Sequence, residues 1–373
     1  MSPIRFALII AVLLAPAAHV NAQTSANPLD AGFAAIQNGD GDTAAAIFKS
    51  ALARDPKDPR LLFGAGLAAH LQGRESDALT LLKQALQYEP RMTQAAAVLG
   101  EIAYHEGDLD LAIKTYERAL TYSPTNLPLR QRLEAWRSEA ALPQSSQSLK
   151  DDRFAIMFDG PVQEKLATRA ASVLSAAFWR IGNGLGAYPS AQIKVVLYSE
   201  RQFRDITGAP EWSGGGFDGQ VRMPVRGASQ NLQQFDRVLT HELTHAILKS
   251  LAPRNLPVWL NEGLAMYFEG RDGLQSERRL RSVGLFVPLE KLSTSFTGFN
   301  AAQATLAYEE SAFATRALID RIGLSNVGLL LQDLDSGQTL EQAIERLGVT
   351  LANFEGDLMR RVGVSPRVSR KEP

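Results

Sequence analysis

The sequence of 373 residues predicts a mainly α-helical protein with a small α+β part. Two changes of pattern along the chain carry this prediction. Helical runs recur at a fixed spacing in the N-terminal third, whereas short apolar strands appear only after residue 150 and are followed by further helices. Strands that come first, with helices after them and no alternation, are typical of an α+β domain. The length allows two or three domains, each with its own hydrophobic core.

Composition excludes several classes of protein. The chain has 39 Lys and Arg against 40 Asp and Glu, and this balance argues against a nucleic-acid binder, which normally carries a basic surface. The absence of Cys excludes disulfides, thiolate metal sites and Cys nucleophiles. Histidine is scarce, and its five positions are 19, 70, 105, 241 and 245.

Residues 1–22 are predicted to be a signal peptide. Arg5 precedes an apolar run over 6–18, and Val20-Asn21-Ala22 offers the small residues that a signal peptidase reads. An uncleaved N-terminal anchor is the alternative. No later run approaches the roughly twenty apolar residues of a membrane helix, so we expect no stable membrane span after signal removal. An exported chain without Cys favours a bacterial periplasmic or secreted location.

Residues 23–140 are predicted to form three helical repeats and a capping helix at 129–140. Prolines recur every 34 residues, at 56, 90 and 124, each after a helical run. Small residues keep the same spacing at four further positions, namely Gly32, Gly66 and Gly100; Gly39, Gly73 and Gly107; Ala44, Ala78 and Ala112; and Ala51, Ala85 and Ala119. A large apolar residue lies between the two alanines of each repeat, at Phe48, Leu82 and Tyr116.

This register resembles the tetratricopeptide repeat over roughly residues 25–140. The resemblance implies helix pairs that bury their apolar faces by stacking and leave a concave surface. Such a surface would bind a substrate or a partner protein. The alternative is an array that only packs against the domain behind it. His70 and His105 fall near helix ends in successive repeats and are assigned no role.

The pattern changes after the repeats. Residues 141–150 are polar and lack periodicity, which predicts a linker, and residues 151–362 predict the second domain. Its predicted elements are strands at 154–158 and 193–198, a helix at about 162–181 between them, an edge strand at 217–225, a helix at 232–251, a second from 257 to about 270, and later helices near 307–322, 325–334, 338–347 and 351–362. Residues 363–373 are predicted to be a flexible tail.

His241-Glu242-Leu243-Thr244-His245 lies on the predicted helix at 232–251. Residues four apart share one helix face, so both imidazoles can bind a single cation. Glu242 lies about 100° round the helix, where it can address a metal-bound water without being a ligand. The alternative is an exposed helix face that carries two His and one Glu by chance.

A catalytic zinc takes three protein ligands and leaves one position for water. The chain has no Cys and no His after His245, which leaves a carboxylate as the third ligand. A second helix, beginning at Pro257-Val258, can return antiparallel and place Glu262 opposite the two imidazoles. A carboxylate stabilised by the helix N-terminus is the alternative role of Glu262.

Together, HELTH and PVWLNEGLAMYF resemble the two motifs of gluzincin metallopeptidases, the thermolysin-like superfamily, and in particular bacterial peptidase-MA-like domains. The resemblance covers roughly residues 150–345. It implies a zincin-like domain with a short mixed sheet, an HExxH helix, C-terminal helices and bound Zn²⁺. His241, His245 and Glu262 then correspond to the zinc ligands and Glu242 to the general base, whereas Asn261 has no clear role.

One position departs from thermolysin-type enzymes, which carry an Asp four residues after the glutamate ligand to orient a histidine. Here that position is Met266, so a backbone carbonyl or Glu269 would have to supply the orientation. Tyr308 is a candidate oxyanion donor, because related domains carry a similar Tyr segment after the zinc helices. A core or surface aromatic is the alternative role of Tyr308.

The predicted function is an exported zinc peptidase that acts on peptide or protein substrates. Zinc would lower the pKa of its bound water, and Glu242 would take the proton and pass it to the leaving amine. The edge strand at 217–225 would hold an extended substrate, with Arg222 biasing its choice. The alternative function is a periplasmic repeat scaffold that carries a structural or degenerate zincin domain.

Overall fold

A computed structural model describes residues 27–145, 147–158, 160–199, 203, 215–225, 227–253, 255–293, 296 and 299–364. The predicted signal peptide at 1–22 and most of the tail predicted at 363–373 lie outside these residues. Within the described part of the chain, no helix combines the length and the apolar composition that crossing a membrane requires.

The N-terminal part is an array of seven helices, which we call the repeat module. Its helices are α1 (Pro28–Gln37), α2 (Gly41–Leu52), α3 (Pro59–Leu71), α4 (Glu75–Tyr88), α5 (Thr93–His105), α6 (Leu109–Tyr122) and α7 (Leu127–Ser145). Glycine allows the helices to approach closely in each repeat. An added Cβ would lie 2.4 Å from Phe48 at Gly32, 2.9 Å from Leu82 at Gly66 and 2.3 Å from Tyr116 at Gly100. The repeat spacing of small and large residues therefore corresponds to helix contacts.

The C-terminal domain is built on a five-stranded mixed sheet in the order β1-β2-β3-β5-β4. The strands are β1 (Gln147–Lys150), β2 (Phe154–Phe158), β3 (Ile193–Tyr198), β4 (Gly216–Phe217) and β5 (Val221–Pro224). The three central strands are parallel, whereas β1 and β4 pair antiparallel at the two edges. Helix α8 (Gly160–Leu185) connects β2 to β3, where a helix at about 162–181 was predicted.

Among the described residues, seven helices follow the sheet and share the main hydrophobic core of this domain with it. They are α9 (Leu232–Leu251), α10 (Val258–Phe268), α11 (Gly273–Val283), α12 (Ala301–Ile322), α13 (Leu324–Asp335), α14 (Leu340–Glu345) and α15 (Leu351–Arg361). Helices α9, α10 and α12 carry the candidate site residues.

The segment predicted as a linker at 141–150 has regular structure instead. Helix α7 continues to Ser145, and the strand β1 pairs with β2 from Gln147 to Lys150. This strand is stabilised by its backbone ladder at the sheet edge, where Leu149 and its polar neighbours remain exposed. A strand of this kind carries no alternating apolar pattern, which explains why the sequence indicated a linker.

The predictions for the strand at 217–225 and for Arg222 are wrong. Strand β5 is paired on both sides, with β3 and with β4, so the sheet edge is the two-residue strand β4. The side chain of Arg222 is only 1 % exposed and forms ion pairs with Asp218 at 2.7 Å and Glu139 at 2.9 Å. Arg222 is therefore a buried structural cation and cannot bias the choice of substrate by direct contact.

Candidate metal centre

Helix α9 presents the two histidines on one face. Its start is capped by Asn231, whose side chain accepts the N–H of Gln234 at 3.0 Å. Leu239 and Leu243 are fully buried on the opposite side and fix the rotation of the helix. The imidazole rings of His241 and His245 consequently lie close together, with ring centroids 4.7 Å apart.

Helix α10 brings the carboxylate to this pair. Its first N–H groups have no side-chain cap; those of Val258 and Trp259 instead donate to the carbonyl groups of Ser293 and Leu292. The helix then places Glu262 Oε2 at 3.7 Å from Nε2 of His241 and at the same distance from Nε2 of His245. One ligand atom from each of the three residues lies within 4.8 Å of the others.

The outer nitrogen of each imidazole has an oxygen partner. His241 Nδ1 donates to Glu269 Oε2 at 3.0 Å, and His245 Nδ1 donates to Asn261 Oδ1 at 3.1 Å, since an oxygen that accepts requires N–H on the ring. When its Nε2 is deprotonated, each ring therefore has the tautomer that a metal needs, with the Nε2 lone pair facing Glu262. Of the two groups suggested to replace the missing Asp at Met266, Glu269 is the one in contact.

Electrostatics distinguish the three candidate ligands. Burial opposes protonation of His241, but the carboxylates of Glu262 and Glu269 outweigh it and raise the pKa of His241 to about 10. Burial lowers the pKa of His245 and keeps this ring neutral. Burial would raise the pKa of Glu262, yet the two histidines hold it below its usual value. Near neutral pH the His241 ring is therefore protonated beside the ionised carboxylate of Glu262, and a cation that binds at this point replaces the proton on Nε2.

The buried polar atoms of the site fit a metal ion. Among the described residues, His245 Nε2 and Glu262 Oε2 are buried and lack a hydrogen-bond partner. Unsatisfied buried polar atoms are costly, at about 1–3 kcal/mol each, and they converge here on one point. Two imidazole nitrogens and one carboxylate oxygen form a ligand set that suits Zn²⁺.

Glu242 lies beside this ligand set without joining it. Its side chain is 5 % exposed, and its Oε2 likewise has no hydrogen-bond partner in the described part of the chain. Gly215, directly before strand β4, lies against it: a Cβ at that position would be 3.2 Å from Glu242 Cγ. Glu242 is therefore near both histidines, and its side chain packs against the residue that precedes β4.

Tyr308 comes from α12 and is partly buried near the same carboxylates. Burial, together with the charges of Glu262 and Glu242, raises the pKa of its phenol. The hydroxyl group therefore stays protonated and can donate a hydrogen bond. The ring of Tyr308 also contacts Phe296 edge to face, with centroids 5.6 Å apart.

Two residues with a clear place at the site had no assigned role in the sequence. Asn261 was part of the motif only, and its contact with His245 depends on how α10 crosses α9. Gly263 lies where α10 packs on α12, because a Cβ there would be 1.9 Å from Thr315 Oγ1. Neither contact has a signal in sequence spacing, since both are set by the packing of separate helices.

Replacement of Glu269 by Ala is expected to weaken zinc binding by about 10–100-fold, because His241 loses the acceptor that fixes its tautomer. Glu269→Gln should weaken zinc binding less, because its amide oxygen can still accept a hydrogen bond from Nδ1 of His241. Competition with a fluorescent zinc chelator measures both changes, with the exposed Glu290→Ala as the control. An unchanged affinity in Glu269→Ala would show that His241 needs no such partner.

Two protein-family models match the chain. A Peptidase MA superfamily model matches residues 174–358, which include all the candidate site residues. A tetratricopeptide repeat model matches residues 35–102 and again 69–136. No curated protein matches the sequence. Residues 174–358 therefore belong to the Peptidase MA superfamily, and they follow an array of tetratricopeptide repeats.

Proposed function

We propose that this protein is an exported, zinc-dependent peptidase whose repeat module binds a substrate or partner protein. One observation carries the proposal: Glu262 Oε2 lies 3.7 Å from both histidine Nε2 atoms, and the unpaired carboxylate of Glu242 lies beside them. Export rests on the sequence of residues 1–22 alone.

The proposed metal ligands are His241, His245 and Glu262. Three protein ligands leave one zinc position open, which is the arrangement of catalytic rather than structural zinc. A bound Zn²⁺ would supply Lewis acidity and lower the pKa of a coordinated water. Glu269 and Asn261 would hold the two imidazoles in the required orientation.

The remaining steps fall to side chains of this chain. Glu242 accepts the proton of the attacking water and later delivers it to the leaving amine, acting first as base and then as acid. The burial of this carboxylate keeps bulk water from competing for its oxygens. Tyr308, whose phenol stays protonated, donates a hydrogen bond to the oxygen that becomes negative in the transition state.

The alternative function, a repeat scaffold with a degenerate zincin domain, remains a competing hypothesis. The replacement of the usual Asp by Met266 is the feature that favours it. The contact between Glu269 and His241 weakens this argument, because it supplies the missing orientation from another position. A degenerate site would also have little reason to keep an unpaired buried carboxylate at Glu242.

Elemental analysis of the purified protein tests the proposal directly. We expect one zinc per chain, complete loss of peptide hydrolysis after treatment with a strong chelator, and recovery on addition of zinc. The Glu262→Gln variant should lose most of its zinc, because the buried amide offers no charge to the cation. A wild-type protein that binds no metal, or hydrolysis that persists without it, would reject the catalytic role.

A further inference from the structure

The repeat module holds the turn that joins β4 to β5. His105 Nδ1, at the end of α5, donates to the carbonyl oxygen of Asp218 at 3.0 Å. Gly219 has φ 96°, and a Cβ at this position would lie 1.9 Å from the carbonyl oxygen of His105. Only glycine therefore allows the turn to approach the module so closely.

A buried polar cluster fixes the same turn. Arg222 pairs with Asp218 in the turn and with Glu139 on α7 of the repeat module. Glu139 also accepts the hydroxyl of Tyr104 at 2.7 Å. Buried charges are stable only when paired and hydrogen bonded, so this cluster joins the two parts of the chain in one defined arrangement.

Strand β4 runs from the candidate active site toward the repeat module. Its N-terminal neighbour Gly215 lies against Glu242, and its last residue, Phe217, leads into the turn at Asp218. The turn after β4 is therefore the point where the sheet meets the repeat module.

A cavity of about 470 Å³ lies beside this turn, and Phe217, Asp218 and Gly219 line part of it. The candidate metal centre lines one side of it, with His245, Asn261 and Glu262, and the repeat module lines the other, with Glu75, Ile102 and Glu106. Its size falls in the range of binding pockets, roughly 300–1,000 Å³. An ion pair across the cavity, Lys249 to Glu75 at 3.8 Å, links α9 to the module.

We infer that the repeat module forms one wall of the substrate site, so that residues of an extended peptide substrate on one side of the scissile bond lie between α9 and the turns of the repeats. This inference rests on the proposed function and deepens it. The module is then part of the peptidase site as well as a docking surface for a separate protein. Short substrates that do not reach the cavity gain no binding affinity from it.

The absence of Cys makes a selective test possible, because a single introduced thiol is the only one in the chain. Glu106→Cys places a thiol at an exposed position of the cavity wall, and Glu117→Cys places one on an exposed face of the same module outside this cavity. Each variant is loaded with Co²⁺, whose visible spectrum reports ligand binding, and is labelled with fluorescein maleimide. The probes are acetohydroxamate, which reaches only the metal, and a tripeptide hydroxamate, which extends beyond it.

We expect the label at position 106 to weaken binding of the tripeptide hydroxamate at least tenfold and to leave the affinity for acetohydroxamate unchanged. The label at position 117 should change neither affinity. Bound tripeptide hydroxamate should also slow labelling at position 106 but not at 117. Equal affinity of the tripeptide hydroxamate with and without the label at 106, and equal labelling rates, would overturn the inference. If acetohydroxamate does not change the visible spectrum of the unlabelled Co²⁺-loaded protein, the proposed function itself is contradicted, and the inference with it.

Discussion

Glu242→Gln is expected to reduce peptide hydrolysis by roughly 10²–10⁴-fold while zinc stays bound. The amide has nearly the shape of the carboxylate but cannot accept the proton of the attacking water. Glu242 lies outside the group of three ligand atoms, so its loss of charge should leave the metal in place. Elemental analysis and the release of new amino termini from a peptide mixture measure the two properties on the same sample.

The same variant can identify substrates. Exported proteins from cells that produce either wild type or Glu242→Gln are compared for new chain termini, and termini found only with wild type mark cleavage sites. Glu290→Gln, at an exposed position outside the site, is the matched control and should behave as wild type. Hydrolysis within a few-fold of wild type in Glu242→Gln would exclude this residue as the base, and simultaneous loss of zinc would show that it supports the metal instead.

Local sequence was sufficient to place the candidate ligands but not their supporting contacts. The four-residue spacing of His241 and His245 fixes their common face on any helix, and a short return helix restricts where Glu262 can lie. Which oxygen faces each Nδ1 depends on the crossing of α9 and α10, and no spacing rule contains that angle. Glu269 could therefore be suggested only as one of two alternatives, and the contact of Asn261 was not foreseen.

In the fold, too, local sequence predicts some elements, whereas others depend on pairing and packing between distant parts of the chain. The bounds predicted for β2 and β3 agree with the structure, because both strands are runs of apolar residues buried in the sheet. Strands β1 and β4 sit at the edges and depend on backbone pairing, which leaves little trace in side-chain pattern. The prediction that Arg222 contacts the substrate was wrong for a related reason. Arg222 can be buried because it pairs with Glu139, which is far away in the sequence and lies in the repeat module.

Gly263→Ala is expected to destabilise the C-terminal domain by about 3 kcal/mol, with a fall in Tm on the order of 10 °C. Helices α10 and α12 approach so closely at Gly263 that a Cβ would lie 1.9 Å from Thr315 Oγ1 and 2.4 Å from the carbonyl oxygen of Ser311. The carbonyl belongs to the helix backbone and cannot rotate away, so the helices must separate. Because Glu262 precedes Gly263 directly, the separation should also move this proposed metal ligand and weaken zinc binding.

Gly356→Ala is the matched control, since Gly356 also lies inside a helix and its added Cβ would meet only the end of Arg360 at 3.4 Å. That change should leave the protein as stable as wild type or stabilise it by roughly 0.5–1 kcal/mol, because alanine favours the helix. Thr315→Ala combined with Gly263→Ala removes the contact with the hydroxyl but keeps those with the Ser311 carbonyl and with the Cβ at position 315, so rescue should be partial. Thermal unfolding of the zinc-free and zinc-loaded proteins separates packing from metal binding. If Gly263→Ala and Gly356→Ala have the same melting temperature in both the zinc-free and the zinc-loaded forms, the close approach of α10 and α12 does not position Glu262. Other contacts must then maintain the geometry of the metal centre.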